Sequence, residues 1–151
     1  MNDSTIAAIS TAYGEAGIGI VRMSGPDSLK IMERVFRPFS GGKNGFEPRH
    51  MYYGKAVDPK DGKVIDECLG VFMPGPHSYT GEDVAEIQCH GSVISYKKIL
   101  EAFLGCGAEL AERGEFTKRA FMNGRMDLAQ AEAVIDLIKA RSARGFECAV
   151  E

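Results

Sequence analysis

The residues able to do chemistry gather in one stretch, 74–92, PGPHSYTGEDVAEIQCHGS, and in one outlying arginine, Arg22. If residues 83–89 form a strand, alternation puts Ala85, Ile87 and Cys89 on one face and Val84, Glu86, Gln88 and His90 on the other. A carboxylate on a half-buried strand needs N–H donors or a cation. Glu86 with Gln88 and His90 in one row therefore suits a ligand rich in N–H groups. The plain alternative is an edge strand with a solvated outer face, since Glu is mostly a surface residue. Arg22 ends the row Ile18, Ile20, Arg22 on a second predicted strand, so its guanidinium is either placed for a ligand or merely lays its stem over apolar surface. Tyr79 could stack on a flat ligand or pack on its own loop. His90 has no second His or Cys at ligand spacing, so an orienting hydrogen bond is expected of it, not a metal.

The elements that must position these residues can be read in order. Residues 5–10, TIAAIS, form an apolar strand that ends in the small residues of 11–17, and 18–24 form a second strand. Gly14, Gly17 and Gly19 fit neither a dinucleotide fingerprint nor a phosphate loop. Gly25, Pro26 and Asp27 open a helix whose buried face is expected at Leu29, Met32 and Phe36, and which Arg37-Pro38 stops. Residues 49–57 and 63–73 form an antiparallel pair across a Pro- and Asp-Gly-containing connection at 58–62. A helix follows over about 92–104, with Ser92 as N-cap and Tyr96, Ile99, Leu100 and Phe103 facing the sheet. Residues 108–112 form a short last strand, and 114–124 one or two helical turns. From Asp127 to about Arg144 a helix starts with a capping box, Asp127 and Gln130, and carries the stripe Ala131, Val134, Ile135 and Ile138. That stripe has no evident partner in the sequence, so it is expected to pack on chain not present here or on a second copy.

Composition bounds the rest. With 151 residues, 44% hydrophobic and 26% charged, the chain is long enough for one domain with an appendage and is not disordered. A net charge of −3 gives no basic field, so phosphate neutralisation by this chain alone would not hold a nucleic acid. The four cysteines lack CxxC spacing and no signal peptide precedes them, which points to free thiols and a soluble cytoplasmic setting. No run is long enough to span a membrane.

Four segments, 17–22 (GIGIVR), 76–90 (with SYTGEDVAEIQCH), 114–121 (GEFTKRAF) and 127–135 (DLAQAEAVI), closely resemble the N-terminal part of the tRNA modification GTPase family called MnmE or TrmE. The resemblance runs from Thr5 to about Ile138. It implies an α+β fold, a mixed and mostly antiparallel sheet with helices, similar to the folate-binding domain of the glycine cleavage T-protein and followed by a C-terminal α-helix. The implied domains are a folate-binding and dimerisation domain over 1–123 and the start of a helical domain over 124–151. The family's GTPase domain, with its GxxxxGK[ST] loop, would bring GTP, Mg and K. No stretch of this chain matches that loop, so on this reading the chain is truncated and hydrolyses no GTP by itself. Nor is Cys148 the cysteine of the family's C-terminal motif; no catalytic residue is expected here.

Carried over position by position, the family's folate contacts fall on Arg22, Glu86 and Arg125. Their chemistry is coherent. A pterin presents an N–H edge that a carboxylate such as Glu86 can accept, as carboxylates accept arginine, while Arg22 and Arg125 suit carbonyl, formyl or glutamate-tail oxygens. A charged Glu86 is expected near Arg22, near Arg125 or in water. The implied cofactor is 5-formyl- or 5,10-methylene-tetrahydrofolate, the one-carbon donor for a 5-carboxymethylaminomethyl or aminomethyl group on the wobble uridine of tRNA. The implied partners are a second copy of the chain, the flavoprotein MnmG (GidA), and tRNA through that complex, with no membrane. The sequence departs from the family in the 11–17 loop, which lacks two prolines and a glycine, at Arg113 in place of proline, and at Ser92 in place of glycine. Two other readings stay open: a dimerisation module without folate, and a folate-dependent aminomethyltransferase.

Overall fold

The computed structural model describes residues 4–11, 16–42 and 44–150, with the side chains of 16, 91 and 141–150 left aside. Among these, seven strands form one sheet: β1 (Ile6–Ile9), β2 (Ala16–Ser24), β3 (Phe36–Pro38), β4 (Tyr52–Val57), β5 (Val64–Met73), β6 (Val84–Gly91) and β7 (Glu109–Leu110). Their order is β3-β4-β5-β6-β2-β1-β7, and every pairing is antiparallel except β1 with β7. Helices α1 (Ser28–Val35), α2 (Val93–Gly105), α3 (Glu115–Met122) and α4 (Leu128–Val150) complete an α+β architecture of the expected class.

Alternation divides the sheet into two unlike faces. Ala7, Val21, Met23, Phe72, Ala85 and Ile87 point to one side, where Ile31, Met32 and Val35 of α1 and Tyr96, Ile99 and Phe103 of α2 bury them. Two strand glycines let the helix layer approach. A Cβ on Gly70 would sit 2.6 Å from Met32 Cε, and one on Gly19 2.6 Å from Tyr96 Cδ1. The other side carries Arg22, Glu86 and Gln88, and there Phe116 of α3 comes up beside Arg22.

Several elements differ from the reading of the sequence. Helix α1 ends at Val35, and residues 36–38 form edge strand β3, paired with β4. The residue before Pro38 avoids helical geometry, and here the extended conformation starts one residue earlier still, at Phe36. Met32 and Phe36 are buried as expected and Leu29 packs half-buried against the core, while Ile31 and Val35 complete the apolar face. Strand β4 starts at Tyr52 because Arg49 takes φ 58°, outside strand geometry, while its N–H bonds Phe72 O at 2.8 Å. The α4 capping box is present: Gln130 N donates to Asp127 Oδ1 at 2.7 Å and Asp127 N to Gln130 Oε1 at 3.0 Å. The α4 stripe does find a partial partner. Ala131 is buried, Val134, Ile135 and Ile138 are half-buried, and Ile135 packs on Gly114 at the start of α3. The loop at 12–15 and the side chain of Cys148 lie outside the described residues.

Candidate functional site

The antiparallel register of β2 and β6 sets Arg22 directly opposite Glu86 on the face without a helix layer. Arg22 Nε donates to Glu86 Oε1 at 2.7 Å, and Nη2 lies 2.6 Å from the same oxygen. Both donors thus converge on Oε1, and among the described residues none reaches Oε2. Glu86 is otherwise enclosed: its side chain is 10% exposed, against 27% for Arg22, and buried Val71 of β5 is its other cross-strand neighbour. The outcome is a largely buried carboxylate with one oxygen held by a cation and, among the described residues, no donor on the other. Such an oxygen is a strong acceptor for an incoming N–H.

Two aromatic rings complete the surround. The Arg22 Cζ lies 5.9 Å from the ring centroids of both Tyr79 and Phe116, within cation–π range. Tyr79 rises from the loop between β5 and β6, and its hydroxyl meets Thr117 Oγ1 of α3 at 2.9 Å. It therefore packs on α3, not on its own loop alone, and still leaves 41% of its surface open.

Arg125 follows the end of α3 and is exposed, its N–H bonded to Ala120 O at 2.8 Å. Its Cγ would lie 3.3 Å from a Cβ placed on Gly81, and neighbouring Asn123 Nδ2 donates to Thr80 O at 2.9 Å. Arg22 and Glu86 are thus joined directly, whereas Arg125 touches neither and flanks the loop that carries Tyr79. Gln88 is half-buried on the same face. His90 has the orienting partner expected of it, with Nδ1 3.1 Å from Asp66 Oδ1 and its backbone N–H 3.1 Å from Oδ2.

Sequence reasoning passed over Phe116, Thr117 and Arg119 of α3 and Glu82 of the loop. The available signal was the four-residue spacing of Glu115 and Arg119, one helical turn apart, but such pairs usually face solvent. Here Arg119 is 7% exposed.

Burial pushes the Cys68 thiol up to about 12 and the Cys89 thiol up to about 11, so both stay protonated at neutral pH. Among the described residues no group of three or more His, Cys, Asp or Glu could hold a metal ion. No described helix is long and apolar enough to cross a membrane. A separate cleft of about 510 Å³ opens beside α2 and the β4–β5 connection, lined by Arg34, Lys60, Asp61, Lys63, Lys98 and Glu101 among others. It shares no residue with the Arg22–Glu86 pair.

Fold and site together describe an α+β domain with a guarded carboxylate on its uncovered sheet face. Residues 5–125 match the family model for the GTP-binding protein TrmE N-terminus. The chain is 56% identical over 151 residues to a tRNA modification GTPase MnmE of Symbiobacterium thermophilum, covering 99% of this chain and 33% of that protein. It is 57% identical over 140 residues to one of Geobacter sulfurreducens, covering 93% and 30%, and 56% identical over 148 residues to one of Clostridioides difficile, covering 97% and 32%. The chain belongs to the TrmE N-terminal family, and it spans about a third of the length of these curated relatives.

Proposed function

We propose that this domain binds a reduced folate, 5-formyl- or 5,10-methylene-tetrahydrofolate, at the Arg22–Glu86 pair and serves as the folate-holding part of a tRNA modification GTPase. The observation that carries this reading is the half-engaged Glu86: Arg22 stays on Oε1 while Oε2 accepts from the N–H edge of a pterin. Glu86 fixes the ring's orientation, Arg22 holds the carboxylate in place, and Tyr79 and Phe116 offer flat apolar surface beside it. Arg125, across the Tyr79 loop, is placed to meet the ligand's distal anionic groups. The folate, when bound, supplies the one-carbon unit for modification at the wobble uridine of tRNA. In the whole protein GTP, Mg and K belong to the GTPase domain, and the redox step to the flavoprotein partner MnmG (GidA), in the cytoplasm. Residues 1–123 would then be the folate domain and 124–151 the start of the helical domain.

The uncovered face also supports a homodimer. Tyr53 and Leu69 are cross-strand partners and, with Phe39 and Ile18, leave large apolar side chains between 38% and 57% exposed. The Phe39 and Tyr53 rings stack edge-on at 5.0 Å. An apolar row of this kind beside a site is what an interface between copies needs. It also keeps alive a second reading, a dimerisation module that binds no folate.

Calorimetric titration with 5-formyltetrahydrofolate separates the two. Saturable heat that disappears in Glu86→Ala supports the folate site; no heat at millimolar ligand leaves the dimerisation module. In light scattering the chain is expected to be a dimer and Leu69→Glu a monomer; a parent that is monomeric at micromolar concentration removes the dimer from both readings.

A further inference from the structure

Arg119, buried on α3, touches neither Arg22 nor Glu86, yet it ties together the elements that carry the rings beside them. Its Nη1 donates to Ser4 O at 2.7 Å and lies 3.2 Å from both carboxylate oxygens of Glu82. Its Nη2 donates to Ser4 Oγ at 3.0 Å and to Glu115 Oε2 at 3.1 Å, while Nε has no partner among the described residues. Glu82 passes the restraint on. Its Oε1 also accepts from Ser24 Oγ at 2.8 Å, and that hydroxyl lies 2.7 Å from Thr80 Oγ1. Ser24 stands two residues beyond Arg22 on β2, and Thr80 follows Tyr79. The 78–82 loop is thereby fastened to β2 at one point and to α3 at another. Phe116 and Thr117, which hold the Arg22 surround and the Tyr79 hydroxyl, sit within one turn of Arg119 on the same helix.

A buried guanidinium carrying this many charge-assisted bonds is costly to assemble and disfavours other arrangements of its partners. The 78–82 loop, SYTGE, carries one large apolar side chain, Tyr79, which stays 41% exposed, so apolar burial does little to fix it. We propose that Arg119 is a positioning residue for the ligand site: through Glu82 it locks the 78–82 loop to α3, with Glu115 bracing the guanidinium from the same helix, and so holds Tyr79 and Phe116 beside the Arg22 guanidinium. The proposal rests on the folate reading for the identity of the ligand, and on the polar network for everything else.

Two measurements on the 151-residue chain test it. The first uses no ligand. Arg119→Lys keeps the charge and loses the planar fork, and Glu82→Gln keeps the shape and loses the charge; if either fails to fold, the other reports on the same lock. In hydrogen exchange the amides of Gly81 and Glu82, bonded to Ser78 O and Thr80 Oγ1, should exchange at least about tenfold faster while those of β6 keep their parent rates. Uniform acceleration along the chain, or no change in the loop, overturns the positioning role.

The second measurement is a double-mutant cycle on the dissociation constant of 5-formyltetrahydrofolate. Arg119→Lys and Tyr79→Leu should each weaken binding about tenfold, and the double variant should be no weaker than either alone, since both remove one placed ring. Losses that multiply would show that Arg119 acts on stability without acting through Tyr79. If the parent binds no folate, the folate reading falls, and hydrogen exchange still decides the role of Arg119.

Discussion

The molecule holds two arginine–carboxylate centres within one neighbourhood, and they are built to opposite ends. At the first, Arg22 places two donors on a single oxygen of Glu86, its side chain remains 27% exposed, and among the described residues no donor reaches the second oxygen. At the second, Arg119 is 8% exposed and is bonded to Ser4, Glu82 and Glu115. Sequence makes the difference. Arg22 and Glu86 face each other on adjacent strands, on the sheet face opposite α1 and α2 with Tyr79 and Phe116 beside them, and the Arg22 side chain keeps 27% of its surface exposed. Arg119 lies on α3 one turn from Glu115 and beside the 78–82 loop, so both of its Nη atoms are met by protein. An engaged guanidinium fixes backbone, whereas a half-engaged carboxylate can exchange partners with a ligand. The contrast yields a ranking of effects, because removing a member of the closed centre should cost the fold, and removing a member of the open one should cost binding.

The largest effect is expected at Arg119→Met. The substitution leaves Glu82 and Glu115, with side chains 19% and 14% exposed, without their cation. Breaking a buried pair by removing one partner typically costs about 3–5 kcal/mol, so the urea midpoint should fall sharply with little change in the slope. A loss below about 1 kcal/mol would place Arg119 among ordinary surface pairs and erase the contrast between the centres.

The two centres were not equally legible. Glu86 stood out because strand alternation set one acid in a row with Val84, Gln88 and His90, opposite the apolar row Ala85, Ile87 and Cys89, and Arg22 because it ended an apolar row. The register that joins them, β2 beside β6, depends on pairing across more than sixty residues of sequence, which periodicity does not encode. That Ile18 and Ile20 share the face of Arg22 was legible; that this face would be the uncovered one was not, since an apolar row reads as core. Ile18 is in fact 57% exposed. Arg119 gave still less, because Glu115 and Arg119 spaced along a short helix look like a solvated pair until a loop distant in sequence closes over them. The capping box of α4 was read correctly since every atom of it lies within four residues. Strand β3 was missed for the converse reason: Phe36 is extended because β4 offers it a partner, and nothing local to 36–38 announces that pairing.

The next effect in size belongs to the open centre and should appear in binding. Glu86→Gln keeps the shape and one acceptor but removes the charge that strengthens a bond from a pterin N–H. Hydrogen bonds to charged groups contribute about 1.5–3 kcal/mol, so the dissociation constant for 5-formyltetrahydrofolate should rise on the order of tenfold to a hundredfold. Thermal stability should move little, because the partly exposed Arg22 can turn to water. A variant that loses stability as Arg119→Met does, with its folate affinity intact, would make the two centres alike.

Arg125→Ala should give the smallest effect and the most informative one about the extent of the site. Arg125 is exposed, makes no ion pair among the described residues, and brings its stem up to Gly81 of the 78–82 loop. Surface changes of this kind usually stay within about 0.5 kcal/mol of parent stability. A guanidinium meeting a flexible anionic tail in solvent contributes about as little as other exposed pairs, so a loss of about twofold to fivefold in folate affinity is expected, shrinking as salt rises. Comparing 5-formyltetrahydrofolate with an analogue lacking the glutamate isolates the contact: Arg125→Ala should weaken the first and leave the second unchanged. Equal losses for both would move Arg125 inward, to the pterin end beside Glu86, and the open centre would then hold two cations instead of one.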